Sequence, residues 1–176
     1  MPDLPSPRDA SVAPAPRPLN THQDRASLSP LQFALARALP PLWRKASDRN
    51  MTPREQHKKM LELVVWVAEK QGCTAKQRNP VQYWQDHVKR DGTVDLMLFD
   101  RRNTAVLAVE LDWARNEASI RKLQAASLQK IPVLSISGVH FDDKAQAKAL
   151  RRFANTIIGK PTGWWLPIFH LTHGWL

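Results

Sequence analysis

Three acidic residues interrupt two segments that otherwise have the composition of buried strands. Asp95 lies in VDLMLFD (residues 94–100), and Glu110 and Asp112 lie in AVLAVELD (residues 105–112). An unpaired carboxylate is costly to bury and usually takes up a proton, because burial raises its pKa. A cluster of carboxylates in such segments therefore indicates a bound cation. Hard oxygen ligands favour Mg²⁺ or Mn²⁺.

The two acidic segments are predicted to be antiparallel strands joined by a tight connection. The residues between them, 100–103, are turn-like in composition, and both segments are rich in Val and Leu. Side chains alternate between the two faces of a strand, so Glu110 and Asp112 share one face. We expect Asp95, on the paired strand, to project beside them.

A helix and a further strand follow the acidic strands. Asn116 suits the N-cap of a helix that runs to about Gln129, and residues 131–136 read as a buried strand. The residues expected to pack inward from this helix are Ile120, Leu123 and Leu128. A strand, a helix and a strand at this spacing predict a parallel, right-handed βαβ unit.

Two helices with capping boxes are expected before the strands. Ser-Pro-Leu-Gln at 29–32 and Thr-Pro-Arg-Glu at 52–55 each have a capping residue, a proline at the first helical position and a Gln or Glu three residues after the cap. The first helix is expected to stop before the prolines at 40–41, and the second to end at Gly72. The Asp-Gly pair at 91–92 predicts a turn just before the acidic strands.

The composition divides the chain into a tail, one domain and an aromatic segment. Residues 1–27 are rich in Pro, Ala, Ser and Arg and are expected to be disordered. Residues 28–162 are expected to form one α/β domain with a mixed sheet, whose last helix is capped by Asp142 or Asp143. The segment 163–176 is expected to pack on this domain or on a partner.

The chain is strongly basic, with 26 Lys and Arg residues against 16 Asp and Glu, a net charge of +10. This charge favours a polyanionic partner, and the alternative is that the basic residues only solvate the surface. A single cysteine, Cys73, excludes an intramolecular disulfide and a Cys-based zinc site. Because the sequence has no signal-like apolar segment and no apolar stretch of membrane-spanning length, we expect a cytoplasmic protein without membrane contact.

From residue 94 to about 137 the chain resembles the core of the PD-(D/E)XK restriction-endonuclease-like superfamily. It looks especially like small bacterial nuclease-like domains related to very-short-patch repair endonucleases. The features that carry the resemblance are, in order, Asp95, Glu110-Leu111-Asp112, the helix at 116–129 and the strand at 131–137. The resemblance implies an αβββαβ core with a mixed central sheet flanked by helices, in which the helix at 52–71 is the first core helix.

The resemblance also implies a metal-dependent endonuclease that hydrolyses DNA phosphodiester bonds. Asp95, Glu110 and Asp112 would be the ligands of Mg²⁺ or Mn²⁺. The family has a lysine two positions after the Glu, where this chain has Asp112. Three interpretations stay open: Asp112 is an additional metal ligand, Lys122 of the following helix reaches the same space, or the site is catalytically inactive.

Further alternatives concern the first core helix and the function. Glu62 is the candidate for an additional acidic site residue, and its alternative is a surface ion pair with Lys58 or Lys59. The alternative for the strand carboxylates is an ion pair with a nearby Arg or Lys. The alternative function is a catalytically inactive nuclease fold that binds nucleic acid or a protein partner. The aromatic segment 163–176 is then the expected contact with that partner or with a second copy of the chain.

Overall fold

The computed structural model describes residues 28–46, 51–112, 116–137, 149, 151–156, 166–171 and 174–175. In this part of the chain the helices are α1 (Pro30–Ala46), α2 (Pro53–Lys70) and α3 (Glu117–Leu128), and residues 151–156 are also helical. The strands are β1 (Thr74–Gln85), β2 (Val88–Phe99), β3 (Ala105–Asp112), β4 (Val133–Ser137), β5 (Ile168–His170) and β6 (Gly174–Trp175). The tail 1–27 and the predicted cap at Asp142 or Asp143 lie outside the described residues.

The strands form one mixed sheet in the order β1-β2-β3-β4-β5-β6. β1, β2 and β3 are antiparallel neighbours, β3, β4 and β5 are parallel, and β6 is antiparallel to β5. The predicted mixed sheet and the parallel β3-α3-β4 unit are therefore confirmed. The sequence did not predict β5 and β6, which place part of the aromatic segment 163–176 inside the sheet.

Helices cover both faces of the sheet, and each face has its own apolar core. One core joins α1 and α2 to the sheet through residues that include Leu35, Leu39, Met60, Val64, Leu98 and Leu107. The other joins α3 and the helical residues 151–156 to the sheet through residues that include Ile120, Leu123, Ala126, Ala108 and Ala154. Among the described helices, none is long and apolar enough to cross a membrane.

The structure confirms the capping boxes and corrects the predicted end of α1. The helix continues through Pro40 and Pro41 to Ala46, although each proline removes a backbone donor. Leu39 is buried, and Leu42 and Trp43 pack against the same core. They lie three and four residues further on and extend the apolar face of the helix. Burial of this face outweighs the missing hydrogen bonds.

The predicted turn at Asp91-Gly92 is wrong, because both residues lie within β2. The chain reverses instead at Asp86 and His87, whose φ angles of 51° and 60° form the two-residue turn that joins β1 to β2. Gly92 serves a close approach: a Cβ there would lie 2.9 Å from the Tyr83 ring. The glycine is therefore explained by the Tyr83 ring that packs over its backbone and not by a turn.

The predicted start of α3 is confirmed, and one of its predicted core residues is not. Asn116 caps the helix, and its side chain accepts a hydrogen bond from the Ala118 N–H at 3.1 Å. Ile120 and Leu123 are buried as expected, but Leu128 is 83% exposed. Leu128 is the last residue of the helix, beyond the part that faces the sheet.

Gln32 ties the first helix to the sheet. Its side-chain oxygen accepts a hydrogen bond from the Ser29 N–H at 2.6 Å, which completes the capping box. Its side-chain nitrogen donates to the buried Val133 carbonyl at 2.7 Å, at the start of β4. One side chain therefore fixes both the beginning of α1 and its position against β4.

We predict that Gln32→Ala destabilises the protein more than Ser29→Ala. Ser29→Ala should lower the free energy of unfolding by about 1 kcal/mol, because a helix cap is lost. Gln32→Ala should lower it by about 2–4 kcal/mol, because the buried Val133 carbonyl also loses its donor. Urea denaturation of both variants measures the difference. Equal losses would show that Gln32 acts only as a cap.

Candidate functional site

The three acidic residues lie where β2 and β3 separate. Backbone pairing between these strands begins at Phe99 and ends at Leu96, which is opposite Val109. Asp95 is the next residue along β2, and its Oδ2 accepts a hydrogen bond from the Leu111 N–H at 2.8 Å. A side-chain oxygen therefore satisfies a β3 donor at the point where the backbone ladder stops.

The hairpin formed by β1 and β2 changes direction at the same place. Pairing between these strands continues on both sides of Arg78 and Asp95 but omits that pair, and Arg78 has a left-handed φ of 54°. Val94 packs in the core under α3, whereas Leu96 packs in the core under α1 and α2. In a regular strand these two side chains would share a face. β2 therefore rotates about its axis at Asp95.

Glu110 is buried in β3 and contacts a single ammonium group. The residue is 2% exposed, and Lys122 Nζ lies 2.7 Å from its Oε1. The same ammonium donates to the Thr93 carbonyl at 2.9 Å, which links α3 to β2. Burial raises the pKa of Glu110 to about 8, and the negative charge of Asp95 adds to this effect. The positive charge of Lys122 opposes both effects without cancelling them.

Asp112 is also buried and is held by serine hydroxyl groups. Ser135 of β4 donates to its Oδ2 at 3.4 Å, and Ser119 of α3 makes a second side-chain hydrogen bond. Burial raises the pKa of Asp112 to about 7 and outweighs the lowering effect of Ser119. The residue two positions after Glu110 is thus a carboxyl group held between β4 and α3.

The structure adds His57, which the sequence did not single out. His57 is in the second turn of α2, and its Nε2 lies 3.8 Å from Asp95 Oδ1. The sequence favoured Glu62 on this helix, but Glu62 is 51% exposed and pairs with Lys59 at 3.4 Å. The surface ion pair that was left open for Glu62 is what the structure shows. The one signal in the sequence that could have indicated His57 is the resemblance, because it implies a site residue on the first core helix.

The carboxyl groups of the site are of the type that binds a divalent cation, but among the described residues they are not arranged as a metal site. Glu110 and Asp112 offer hard oxygen ligands, and Asp95 raises the pKa of both, so a cation beside them would relieve their repulsion. Within the described ranges, no three Asp, Glu, His or Cys side chains are grouped closely enough to hold a metal ion. Lys122 pairs with Glu110 in this arrangement. A cation would therefore compete with that ion pair.

Comparison with protein-family models, with curated proteins and with solved structures finds no match for this chain. The interpretation of the site therefore depends on its own geometry. That geometry combines buried carboxyl groups, one ammonium group and one imidazole at the point where two strands separate.

We predict that Asp112→Asn changes the pH dependence of stability. An acid whose pKa rises from 3.8 unfolded to about 7 folded destabilises the folded state as the pH rises through that interval. Asn does not titrate, so the variant should gain about 3–4 kcal/mol relative to the wild type between pH 4 and pH 8. Urea denaturation in EDTA at both pH values measures this gain. A variant whose stability relative to wild type is the same at both values would contradict the raised pKa.

Proposed function

We propose that the protein is a metal-dependent nuclease that hydrolyses phosphodiester bonds of DNA, with a restriction-endonuclease-like core. The observation that carries the proposal is the meeting of Asp95, Glu110 and Lys122 where β2 and β3 separate. Carboxylates that bind a metal ion, beside an ammonium group that can face a phosphate, are the parts that hydrolysis of a phosphodiester needs.

Asp95 and Glu110 would hold Mg²⁺ or Mn²⁺, with Asp112 as an additional ligand. When bound, the ion would polarise the phosphodiester and lower the pKa of an attacking water. Glu110 and Asp112 support this role as hard oxygen ligands, and their pKa is raised mainly by burial and further by the negative charge of Asp95, which a bound cation would offset. Asp95 would be held in place by the Leu111 N–H.

Lys122 would take the part of the lysine that the family has two positions after the Glu. It comes from α3 and reaches Glu110 at 2.7 Å, and the Thr93 carbonyl fixes its ammonium group. An ammonium group at this place stabilises the negative charge that develops on the phosphate oxygens. His57, beside Asp95, is placed to orient that carboxylate or to move a proton at its Nε2.

The charge of the chain supports a nucleic acid as the substrate. A net charge of +10 attracts a polyanion and gives an affinity that falls as salt rises. Glu110 and Asp112 are buried, whereas the Asp95 side chain is 25% exposed and is the site carboxylate most open to a substrate.

A second candidate is a catalytically inactive nuclease fold that binds nucleic acid. Two observations favour it: Asp112 stands at the position of the family's lysine, and Lys122 is already paired with Glu110. This protein would bind DNA in a salt-sensitive manner and would cleave none in Mg²⁺ or Mn²⁺. A cleavage assay therefore separates the two candidates.

We predict that the purified protein cleaves DNA in Mg²⁺ or Mn²⁺ and that Glu110→Gln and Asp95→Asn each lower the rate at least about 100-fold. The assay uses supercoiled, linear and single-stranded DNA. Glu62→Gln is the matched control, because Glu62 lies on the surface and pairs with Lys59. Equal cleavage by wild type, Glu110→Gln and Asp95→Asn would identify a contaminant and reject the assignment.

We also predict that Lys122→Met lowers the cleavage rate about 100-fold, because the charge on the phosphate loses its cation. Arg121→Met is the control, because Arg121 is the neighbouring residue of α3 and pairs with Glu117. Its loss also removes one positive charge and should change the rate less than about threefold. Single-turnover rates of the two variants make the comparison. Similar rates for both would mean that Lys122 contributes only general positive charge.

A further inference from the structure

The β1–β2 hairpin extends well beyond the rest of the sheet. β2 pairs with β3 only as far as Leu96, but it pairs with β1 from Val94 to Val88 on the far side of Asp95. On one face of this extension, Val81 and Tyr83 are buried, and Val81 packs in the core under α3. The opposite face is exposed to solvent.

The exposed face of the hairpin places an aromatic ring beside a lysine. Trp84 is 63% exposed and lies directly opposite Lys89 in the ladder, and Gln82 and Asp91 lie opposite each other on the same face. The two acidic residues in this region have local roles. Asp86 lies in the turn with a positive φ, and Asp91 accepts a hydrogen bond from Gln82 at 3.0 Å.

We propose that the end of the hairpin, residues 82–91, is a nucleic-acid contact in which Trp84 stacks on an unpaired base. An exposed tryptophan beside a lysine is the combination that binds single-stranded segments, because the ring covers a base and the cation contacts the backbone. The choice of DNA rests on the proposed nuclease function. Beyond that function, we infer that the protein prefers DNA that contains unpaired bases.

The hairpin is joined directly to the proposed active site. Lys122 holds both Glu110 and the Thr93 carbonyl of β2, and Asp95 is the residue at which the hairpin changes direction. Six residues separate Asp95 from Lys89, which is roughly 20 Å of extended strand. Trp84, opposite Lys89, would therefore contact a base roughly 20 Å from the scissile bond.

The test is equilibrium binding of labelled oligonucleotides in EDTA, where a metal-dependent nuclease does not cleave. Trp84→Ala should weaken binding to a single-stranded oligonucleotide about tenfold, and Trp84→Phe should restore most of it, because a ring still stacks. Binding to a fully paired duplex should change less than about twofold. Trp66→Ala is the matched control, since Trp66 is 48% exposed on α2 and has Lys70 Nζ 5.6 Å from its ring centroid.

The inference is overturned if Trp84→Ala binds the single strand like wild type, or if it loses as much affinity for the duplex as for the single strand. Equal loss in Trp66→Ala, or no binding by the wild-type protein, also overturns it. Failure of the nuclease proposal is read separately, from cleavage in Mn²⁺. If the protein binds through Trp84 but does not cleave, this inference stands and the nuclease assignment is rejected. If it cleaves but does not bind through Trp84, the nuclease assignment stands and this inference is rejected.

Discussion

The burial of Glu110 and Asp112 beside one ammonium group is the constraint on which the candidate site depends. Both carboxyl groups are almost inaccessible to water, and burial raises the pKa of each toward neutrality. Lys122 neutralises part of this charge through its contact with Glu110, and the nearby Asp95 adds to the repulsion. Replacing buried ion pairs by apolar residues is often neutral or stabilising, so these carboxyl groups are not accounted for by stability, and the proposed function assigns them to binding of a cation.

Asp95 connects this charge to the shape of the protein. Its carboxylate accepts a hydrogen bond from the Leu111 N–H where the backbone pairing of β2 with β3 ends. At the same residue β2 rotates about its axis, so that the apolar side chains on either side of Asp95 pack in different cores. Beyond this point β3 is no longer paired with β2 through the backbone, and the hairpin packs on α3. The active-site proposal and the hairpin proposal therefore have a common structural origin, although each is tested by a different measurement.

Local signals in the sequence were enough to predict the helices and strands that surround the site. The caps at Ser29, Thr52 and Asn116 and the continuous apolar run of β3 depend on neighbouring residues alone. The remaining features depend on contacts between distant segments. The helix continues through Pro40 because its far end packs on the core, Gly92 is required by the Tyr83 ring, and His57 reaches Asp95 only after α2 docks on the sheet. The spacing of residues along the sequence does not predict contacts between such distant segments.

The central claim is that Asp95 of β2 and the buried carboxylates of β3 bind a divalent cation. Electron paramagnetic resonance of added Mn²⁺ measures this directly, because the signal of the free aquo ion falls as the protein binds it. The account predicts stoichiometric Mn²⁺ binding that competes with Mg²⁺, strengthens as the pH rises past 8, and is lost in Glu110→Gln. Absence of binding to the wild-type protein, or equal binding by Glu110→Gln, would contradict it.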